Sequence, residues 1–338
     1  MTDDGITLER IRDARAALAG RLHRTPMLTS MTAARVVRAA TGVDLADGRV
    51  YLKAEHLQKT GSFKPRAALT RIASLTVDER ARGAITLSAG NAGQAYAWAG
   101  REAGVPVTVV MPEGAVASKV AACRGYGAEV VLHGAHVGEA LAHLEEVRET
   151  RGLTFVHPYD DPEVLIGNGS LGLEILDDLP GVDVVVVAIG GGGLIGGVAA
   201  AIGQAAPAVR IHGVEPSGSD AMARAIEAGE PVRISPLSVA EGLGAPAAGR
   251  YALEVARNHV ASVVRVEDAT ILMGLRFAVE RLKQVLEPAG AAALGALLAG
   301  TIPLEPGDRV CVILSGGNVA VERMGALLAA AAPLEVPA

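Results

Sequence analysis

The stretch VDVVVVAIGGGGLIGG, residues 182–197, decides the fold of this chain. Its first half is short and almost entirely apolar, which is typical of a strand buried on both faces of a parallel sheet. Four consecutive glycines, Gly190 to Gly193, end this run, and the apolar residues that follow continue as a helix. Because Asp183 and the glycines interrupt it, we interpret the stretch as strand, turn and helix, not as a membrane span.

The glycine turn predicts a site for an anion. Glycine lets the backbone approach an anion closely, and the helix that follows directs its positive N-terminal end to the same point. A phosphate group suits such a turn, but the turn does not show which phosphate-bearing molecule binds there. Gly191, Gly193 and Gly196 also satisfy G-x-G-x-x-G, and Glu215 ends the next strand at the distance that a dinucleotide fold requires. On this motif alone, an NAD-dependent oxidoreductase or a binding module stays open.

Strand-like and helix-like segments alternate along the rest of the chain. Residues 83–158 hold several such pairs, and Val137, Leu141, Leu144 and Val147 recur there at helical spacing. This alternation predicts an α/β fold with right-handed crossovers, twisted and mostly parallel sheets, and helices on their faces.

The chain has 338 residues, which is too long for one small core, so we expect two domains. The compact run of residues 83–158 would form a small domain. It would be inserted into a large domain that takes residues 1–82 and 159–338.

Composition and charge exclude several classes of protein. The formal net charge of −6 leaves no basic surface for nucleic acid or for an acidic membrane. Cys123 and Cys311 are too few and too isolated for a disulfide framework or a zinc site, and we predict no metal. Residues 2–23 are polar and periodic, which is typical of an amphipathic helix and not of a secretory leader. We therefore expect a soluble, cytoplasmic protein.

A second informative stretch is KAEHLQKTGSFKPR, residues 53–66. It breaks at Thr60-Gly61-Ser62, and Pro65 suits the first turn of a helix, so Lys64 is expected at a loop–helix junction. A lysine held there and partly desolvated by Phe63 can lose its proton near neutral pH and act as an imine-forming nucleophile. An ordinary solvated lysine is the alternative interpretation.

Two further loops follow predicted strands. SAGNAGQ, residues 88–94, opens a helix, and its free N–H groups with the Asn91 amide predict a site for a carboxylate or phosphate, although an ordinary βα loop would look the same. LSGGN, residues 314–318, has glycines that allow a flat ring to lie against the backbone, and Ser315 offers a hydroxyl. A dinucleotide enzyme needs neither Lys64 nor this last loop.

The ordered motifs GSFKPRAA, SAGNAGQ, GGGGL, VEP, EPAGAAA and SGGN resemble those of the threonine and serine dehydratases, a group of fold-type-II pyridoxal-phosphate enzymes. The similarity runs from about Leu22 to Asn318 and includes HPYDDP and GNGSLGLE. It implies the two-domain α/β fold of the tryptophan synthase β type, with pyridoxal 5'-phosphate as cofactor. It also implies a small amino acid as substrate and a homodimer.

The resemblance implies a role for each matching residue. Lys64 would be the Schiff-base lysine, Phe63 would pack against the ring, and Ser315 would contact the ring nitrogen. Asn91 would contact the phenolic oxygen, and Glu287 would line the pocket or form a structural salt bridge. The cofactor phosphate would lie on Gly190, Gly191, Gly192, Gly193 and Leu194. The substrate carboxylate would lie on Ser88, Ala89, Asn91 and Ala92.

The implied reaction is β-elimination from a β-hydroxy amino acid such as L-threonine or L-serine, which gives a 2-oxo acid and ammonia. Lys64, released as a neutral amine, would remove the α-proton, a task that needs a depressed pKa. Ser315 is neutral and does not favour a protonated ring nitrogen. The electron sink would then be moderate, which suits early expulsion of the hydroxyl.

Departures from the family pattern narrow this interpretation. Serine racemases carry a serine, a second base, where this chain has Ala89, so elimination is favoured, while a racemase or a β-replacing synthase stays an alternative. Ala92 replaces the usual histidine, and Tyr159 replaces a phenylalanine. The second acid of a divalent-ion site would fall on Ala221, which argues against that site. Glu215 stays open as a monovalent-ion ligand or a structural carboxylate.

The loop AEGLGAPAAG, residues 240–249, corresponds to a segment near the substrate side chain in relatives. Its small residues offer no cation for a second carboxylate, which disfavours hydroxyaspartate as the substrate. Only a short tail follows SGGN, so we expect no C-terminal regulatory domain.

Overall fold

The computed structural model describes residues 5–334, which form ten strands and fourteen α-helices. The strands are β1 (Met27–Ser30), β2 (Val50–Lys53), β3 (Ala84–Leu87), β4 (Val107–Met111), β5 (Glu129–Leu132), β6 (Thr154–Phe155), β7 (Val184–Ala188), β8 (Arg210–Pro216), β9 (Ser262–Val266) and β10 (Val310–Ile313). The helices are α1 (Leu8–Leu18), α2 (Met31–Thr41), α3 (Pro65–Ala73), α4 (Val77–Arg82), α5 (Asn91–Ala103), α6 (Ala117–Gly125), α7 (Val137–Arg151), α8 (Pro162–Asp178), α9 (Gly193–Ala205), α10 (Ala221–Ala228), α11 (Arg250–His259), α12 (Asp268–Phe277), α13 (Pro288–Leu298) and α14 (Val321–Ala330). The two ends of the predicted large domain, and the first residues of the predicted N-terminal helix, lie outside the described residues.

A six-stranded sheet has the order β1-β2-β10-β7-β8-β9. Its neighbouring strands are parallel except β1 and β2, which are antiparallel. The run of valines within residues 182–197 forms β7. Val184 and Val186 belong to one hydrophobic core and Val185 and Val187 to another, because successive side chains of a strand point to opposite faces. Both faces of the sheet are buried, and the expected α/β fold with mostly parallel sheets is confirmed.

A second sheet of four strands has the order β5-β4-β3-β6, and all its pairs are parallel. Its strands all come from residues 84–155. On this basis we propose that residues 83–158 form the small domain, inserted into a large domain of residues 1–82 and 159–338. The core of this sheet also contains Leu69 and Ile72 of α3, so the proposed small domain packs on a helix from outside its own range.

The parallel strands bring the predicted loops to one place. Lys64 directly precedes α3, Asn91 begins α5 after β3, and Gly193 begins α9 after β7. Ser315 follows β10. Because ligand sites of open parallel sheets form beyond the carboxyl ends of the strands, this edge is where a site is expected.

The four apolar residues that recur at helical spacing all lie in α7, as the sequence predicts, but not all on its buried face. Val137 and Leu141 are exposed at 57% and 38%. The buried stripe of α7 consists of Ala140, Leu144 and Val147, which follow the spacing i, i+4 and i+7 and pack on β3 and β4. The small alanine therefore lies in the stripe that meets the sheet, and the two larger residues lie on the outer side.

Within residues 5–334, every helix is too short or too polar to cross a membrane. The long apolar run that includes β7 is divided by the glycine turn from α9, as the sequence predicts.

Candidate active site

A cavity of about 1130 Å³ lies beyond the carboxyl ends of β3, β7 and β10, and residues of both sheets line it. All the residues predicted for the site lie in its wall: Phe63, Lys64, Ser88, Ala89, Asn91, Ala92, Gly190, Gly191, Gly192, Gly193, Leu194, Glu287 and Ser315. The structure thus brings into one cavity loops that are far apart in the chain.

Lys64 is the residue before α3, and Pro65 is the first residue of that helix, as predicted. Its Nζ donates a hydrogen bond of 3.0 Å to the carbonyl oxygen of Pro158 and lies 5.1 Å from the centre of the Phe63 ring. Burial lowers the pKa of this amine to about 8, although the negative charge of Glu287 acts in the opposite direction. A large fraction of the amine is therefore neutral near pH 8 and can act as a nucleophile or a base.

The four glycines form the turn between β7 and α9. Gly192 has a φ of +93°, a left-handed conformation that favours glycine. A Cβ at Gly191 would lie 2.4 Å from ring carbons of Tyr159, so a larger residue does not fit there. Asn168 of α8 holds the turn, because its Nδ2 donates to the carbonyl oxygen of Gly193 at 2.9 Å. Since the first N–H groups of a helix have no intrahelical acceptor, the turn offers donors and a positive helix end to an anion.

The second loop connects β3 to α5, which begins at Asn91, inside the stretch SAGNAGQ that the sequence predicts to open a helix. The hydroxyl of Ser88 accepts a 3.2 Å hydrogen bond from the N–H of Gly90, which closes the turn. The first N–H groups of α5 have no intrahelical acceptor, and Ala92 of this first turn lines the cavity. A carboxylate is the type of group that such a helix end binds.

Asn91 has two partners that the sequence did not reveal. Its Nδ2 donates to Oε1 of Glu287 at 2.5 Å, and its Oδ1 accepts from Nδ2 of Asn318 at 2.8 Å. Burial raises the pKa of the Glu287 carboxyl group to about 7, while the hydrogen bond from Asn91 acts to lower it. Glu287 lies in the cavity wall, and its observed partner is an amide.

Replacing Glu287 by glutamine should flatten the dependence of stability on pH. Burial raises the pKa of this carboxyl group from 4.5 to about 7 in the folded protein. Between these values the folded state binds the extra proton, so the free energy of unfolding of the wild type falls as the pH rises. Glutamine keeps the shape of the glutamate side chain but has no carboxyl group that takes up a proton in this pH range.

Melting temperatures below and above this pH range measure the effect. We expect Glu287→Gln to lose less stability than the wild type as the pH rises. Glu102→Gln, at an exposed residue of α5, is the control and should follow the wild type. Parallel curves for the wild type and Glu287→Gln would contradict this prediction.

Ser315 follows β10 and is only 6% exposed. Its hydroxyl lies 3.5 Å from a backbone carbonyl oxygen of α13. Backbone hydrogen bonds join this segment to the one that carries Lys64: the N–H of Phe63 donates to the carbonyl oxygen of Ser315 at 3.1 Å, and the N–H of Gly317 donates to that of Gly61 at 2.9 Å. The hydroxyl of Ser315 and the amine of Lys64 thus lie on segments that are tied together.

Glu215 is a structural carboxylate in this fold. Its two oxygens accept hydrogen bonds from the backbone N–H groups of Met222 and Ala223, at 2.8 and 2.9 Å. Burial raises its pKa to about 7. In the part of the chain that the structure describes, no three His, Cys, Asp or Glu side chains are arranged to hold a metal ion. Glu215 is fully buried and does not line the cavity, so it is not available for the ribose contact that a dinucleotide fold requires.

A charged cluster lies at the rim of the cavity. Glu241 accepts from Nζ of Lys119 at 3.5 Å and from Nη1 of Arg323 at 2.5 Å, and all three line the cavity. Residues 240–249 supply no cation themselves, but two cations from other elements lie close to Glu241. The cations come from α6 and α14, and both are paired with Glu241. No sequence pattern connects these three positions.

Arg66 is the centre of a buried ionic network that the sequence did not reveal. It is 1% exposed, and it bonds both oxygens of Glu55 and both oxygens of Glu174 at 2.7 to 2.9 Å. Lys53, which is fully buried, also pairs with Glu174 at 3.0 Å. The network joins the first turn of α3 to α8. It therefore helps to fix Lys64, which directly precedes α3.

Three comparisons show which known proteins this chain is similar to. The family described as pyridoxal-phosphate dependent enzyme matches residues 23–316. The L-threonine ammonia-lyase of Thermotoga maritima is 39% identical over 324 residues, which cover 96% of this chain and 78% of that protein. The structure of the processed form of threonine deaminase isoform 2 from Solanum lycopersicum has a TM-score of 0.87 and 30% identity, with 98% of this chain and 89% of that chain covered. Maize serine racemase has a TM-score of 0.87 and 32% identity, with coverage of 95% and 96%.

Proposed function

The chain belongs to the pyridoxal-phosphate-dependent enzymes, and from this premise we propose that it is a lyase for a β-hydroxy amino acid such as L-threonine or L-serine. Its cofactor is pyridoxal 5'-phosphate, and its products are a 2-oxo acid and ammonia. One observation carries the proposal: the amine of Lys64, the glycine turn and the Asn91 loop line the same cavity.

The residues of the cavity fit this cofactor. The turn Gly190–Gly193 offers bare backbone and a helix N-terminus to the phosphate, and the Tyr159 ring at Gly191 leaves no room for a Cβ. The neutral amine of Lys64 would hold the aldehyde carbon, and Asn91 and Ser315 would contact the phenolic oxygen and the ring nitrogen. When bound, the cofactor supplies the electron sink for charge that develops at the substrate Cα.

We assign Lys64 as the base that takes the proton from the substrate Cα. A base is most effective when its pKa lies near the working pH, and the pKa of this amine is about 8. The hydrogen bond of 3.0 Å that Nζ donates to the carbonyl oxygen of Pro158 would keep the amine oriented in the cavity wall after it takes the proton.

The substrate carboxylate would bind at the N-terminal end of α5, with Ser88, Ala89, Asn91 and Ala92 around it. The rim cluster favours a substrate with a single carboxylate. Both of its cations, Lys119 and Arg323, are already paired with Glu241, so a second carboxylate would have to displace that residue. Threonine and serine are therefore favoured over 3-hydroxyaspartate as the substrate.

Racemisation is the second candidate, because a serine racemase shares the fold. Ala89 argues against it. This residue lines the cavity in the loop that precedes Asn91, and its methyl group neither takes nor gives a proton. A base at this position would be needed to return a proton from the face opposite Lys64. Release of ammonia would distinguish a lyase from a β-replacing synthase.

A substrate panel tests the proposal. The purified protein, saturated with pyridoxal phosphate, is incubated with L-threonine, L-serine and 3-hydroxyaspartate. We expect equal amounts of 2-oxo acid and ammonia from threonine or serine, and much slower turnover of 3-hydroxyaspartate. Formation of D-serine without ammonia would overturn the proposal in favour of a racemase.

We also propose that the enzyme is a cytoplasmic homodimer. The family resemblance supports the dimer. Cys123 and Cys311 are both free and buried, which suits a reducing compartment. A monomeric mass in light scattering would contradict the dimer.

A further inference from the structure

The side-chain amide of Asn318 joins two segments of the cavity. Its Nδ2 donates one hydrogen bond to the carbonyl oxygen of Thr60 at 2.7 Å and another to Oδ1 of Asn91 at 2.8 Å. An amide nitrogen carries two hydrogens, so these two bonds use both. Asn318 therefore links the turn that precedes Lys64 to the loop that begins α5.

These bonds fix the direction of the Asn91 amide. The carbonyl oxygen of Thr60 can only accept, so Asn318 must direct its NH2 group to it. The second hydrogen of that group needs an acceptor, and Asn91 supplies Oδ1. The Nδ2 of Asn91 then faces the opposite way and donates to Glu287. Its remaining hydrogen is left for an acceptor in the cavity.

The acceptor at Thr60 is itself held in place. Thr60 and Gly61 have φ values of +58° and +74°, and a β-branched residue rarely adopts such a conformation. The N–H of Gly317 donates to the carbonyl oxygen of Gly61 at 2.9 Å, which ties this turn to the segment of Asn318. A Cβ at Gly61 would lie 2.4 Å from Oδ1 of Asn318, so only glycine allows this approach. Strained backbone of this kind persists where its surroundings require it.

We propose that Asn318 is a positioning residue that keeps an N–H of Asn91, and not its oxygen, directed at an acceptor oxygen of the cavity ligand. The inference rests on the proposed function, in which that acceptor is the phenolic oxygen of pyridoxal phosphate. If the Asn91 amide were reversed, its oxygen would face both the Glu287 carboxyl group and the cofactor oxygen. Asn318 acts through Asn91, and the family resemblance assigned it no role.

A double-mutant cycle on the holoenzyme tests this inference. Asn318→Asp keeps the shape of the side chain but has no hydrogen to donate to Thr60 or Asn91 when ionised. The cycle compares this variant, Asn91→Ala and the double variant by the dissociation constant of pyridoxal phosphate and by the absorption spectrum of the bound cofactor. Asn318→Ser is the second variant, which keeps one donor but is too short to join both partners.

We expect each single substitution to weaken cofactor binding about tenfold, since a hydrogen bond to a charged oxygen contributes roughly this factor. The double variant should bind no more weakly than Asn91→Ala alone, and Asn318→Ser should share the changed spectrum. A purely structural role would lower the melting temperature and leave the spectrum unchanged, and it would give additive effects in the cycle. Either of those results would overturn the inference.

The cycle also separates this inference from the proposed function. Wild-type protein that binds no pyridoxal phosphate would overturn both. If the wild type binds the cofactor but the two substitutions have additive effects on that binding, only the role of Asn318 is overturned.

Discussion

Replacing Lys64 by alanine should lower kcat for elimination by about four orders of magnitude or more, since it removes both the nucleophile that holds the cofactor and the base. The purified variant should also lack the yellow colour of a covalently bound cofactor. Steady-state release of the 2-oxo acid from L-threonine measures the first effect, and the absorption spectrum measures the second.

The control for this substitution is Lys59→Ala. Lys59 belongs to the same segment but does not line the cavity, so its variant should keep the activity and the colour of the wild type. A small amine added to the medium should restore part of the activity of Lys64→Ala, because it can replace the missing base. Full activity of Lys64→Ala without such an amine would contradict the assignment of Lys64.

The second large effect is expected at Arg66. Arg66→Met should lower the free energy of unfolding by about 3–5 kcal/mol, because removal of one partner leaves buried charges without compensation. Glu55 is fully buried, and it would lose both of its bonds to the guanidinium group. Glu174 would keep only its contact with Lys53 from this network. Denaturant titration and thermal melting of the holoenzyme measure the loss.

Arg148→Met is the matched control for Arg66→Met. Arg148 pairs with Glu145 at 2.9 Å, but the two side chains are 38% and 41% exposed. An exposed ion pair of this kind contributes about 0–1 kcal/mol, so the control should change stability little. Equal losses in the two variants would show that burial of the Arg66 network does not govern its contribution.

Much of the fold could be predicted from the spacing of apolar residues. The apolar run that opens residues 182–197 corresponds to β7, and the residues that recur at helical spacing lie in α7, because both segments have strong local patterns. The edge strand β1 was not predicted, since its four residues are too few to show a period and it forms only by pairing with β2. The position of β10 between β2 and β7 also depends on packing between distant segments, which has no local signal.

The site could be predicted where a residue has an unusual chemical or backbone requirement. Gly192 adopts a left-handed conformation, and Lys64 is desolvated before a helix that begins with proline. The ion pairs of Glu241 and the hydrogen bonds of Asn318 could not be predicted, because their partners lie far away in the chain. Polar and charged residues on loops look alike in a sequence until the fold brings them together.

The central claim is that the cofactor is joined to Lys64. Reduction of the purified protein with borohydride, followed by digestion and peptide mass spectrometry, tests it most directly. The account predicts one pyridoxyl group, carried by the peptide that contains Lys64. Unmodified Lys64, or a pyridoxyl group on another lysine of the cavity such as Lys119, would contradict it.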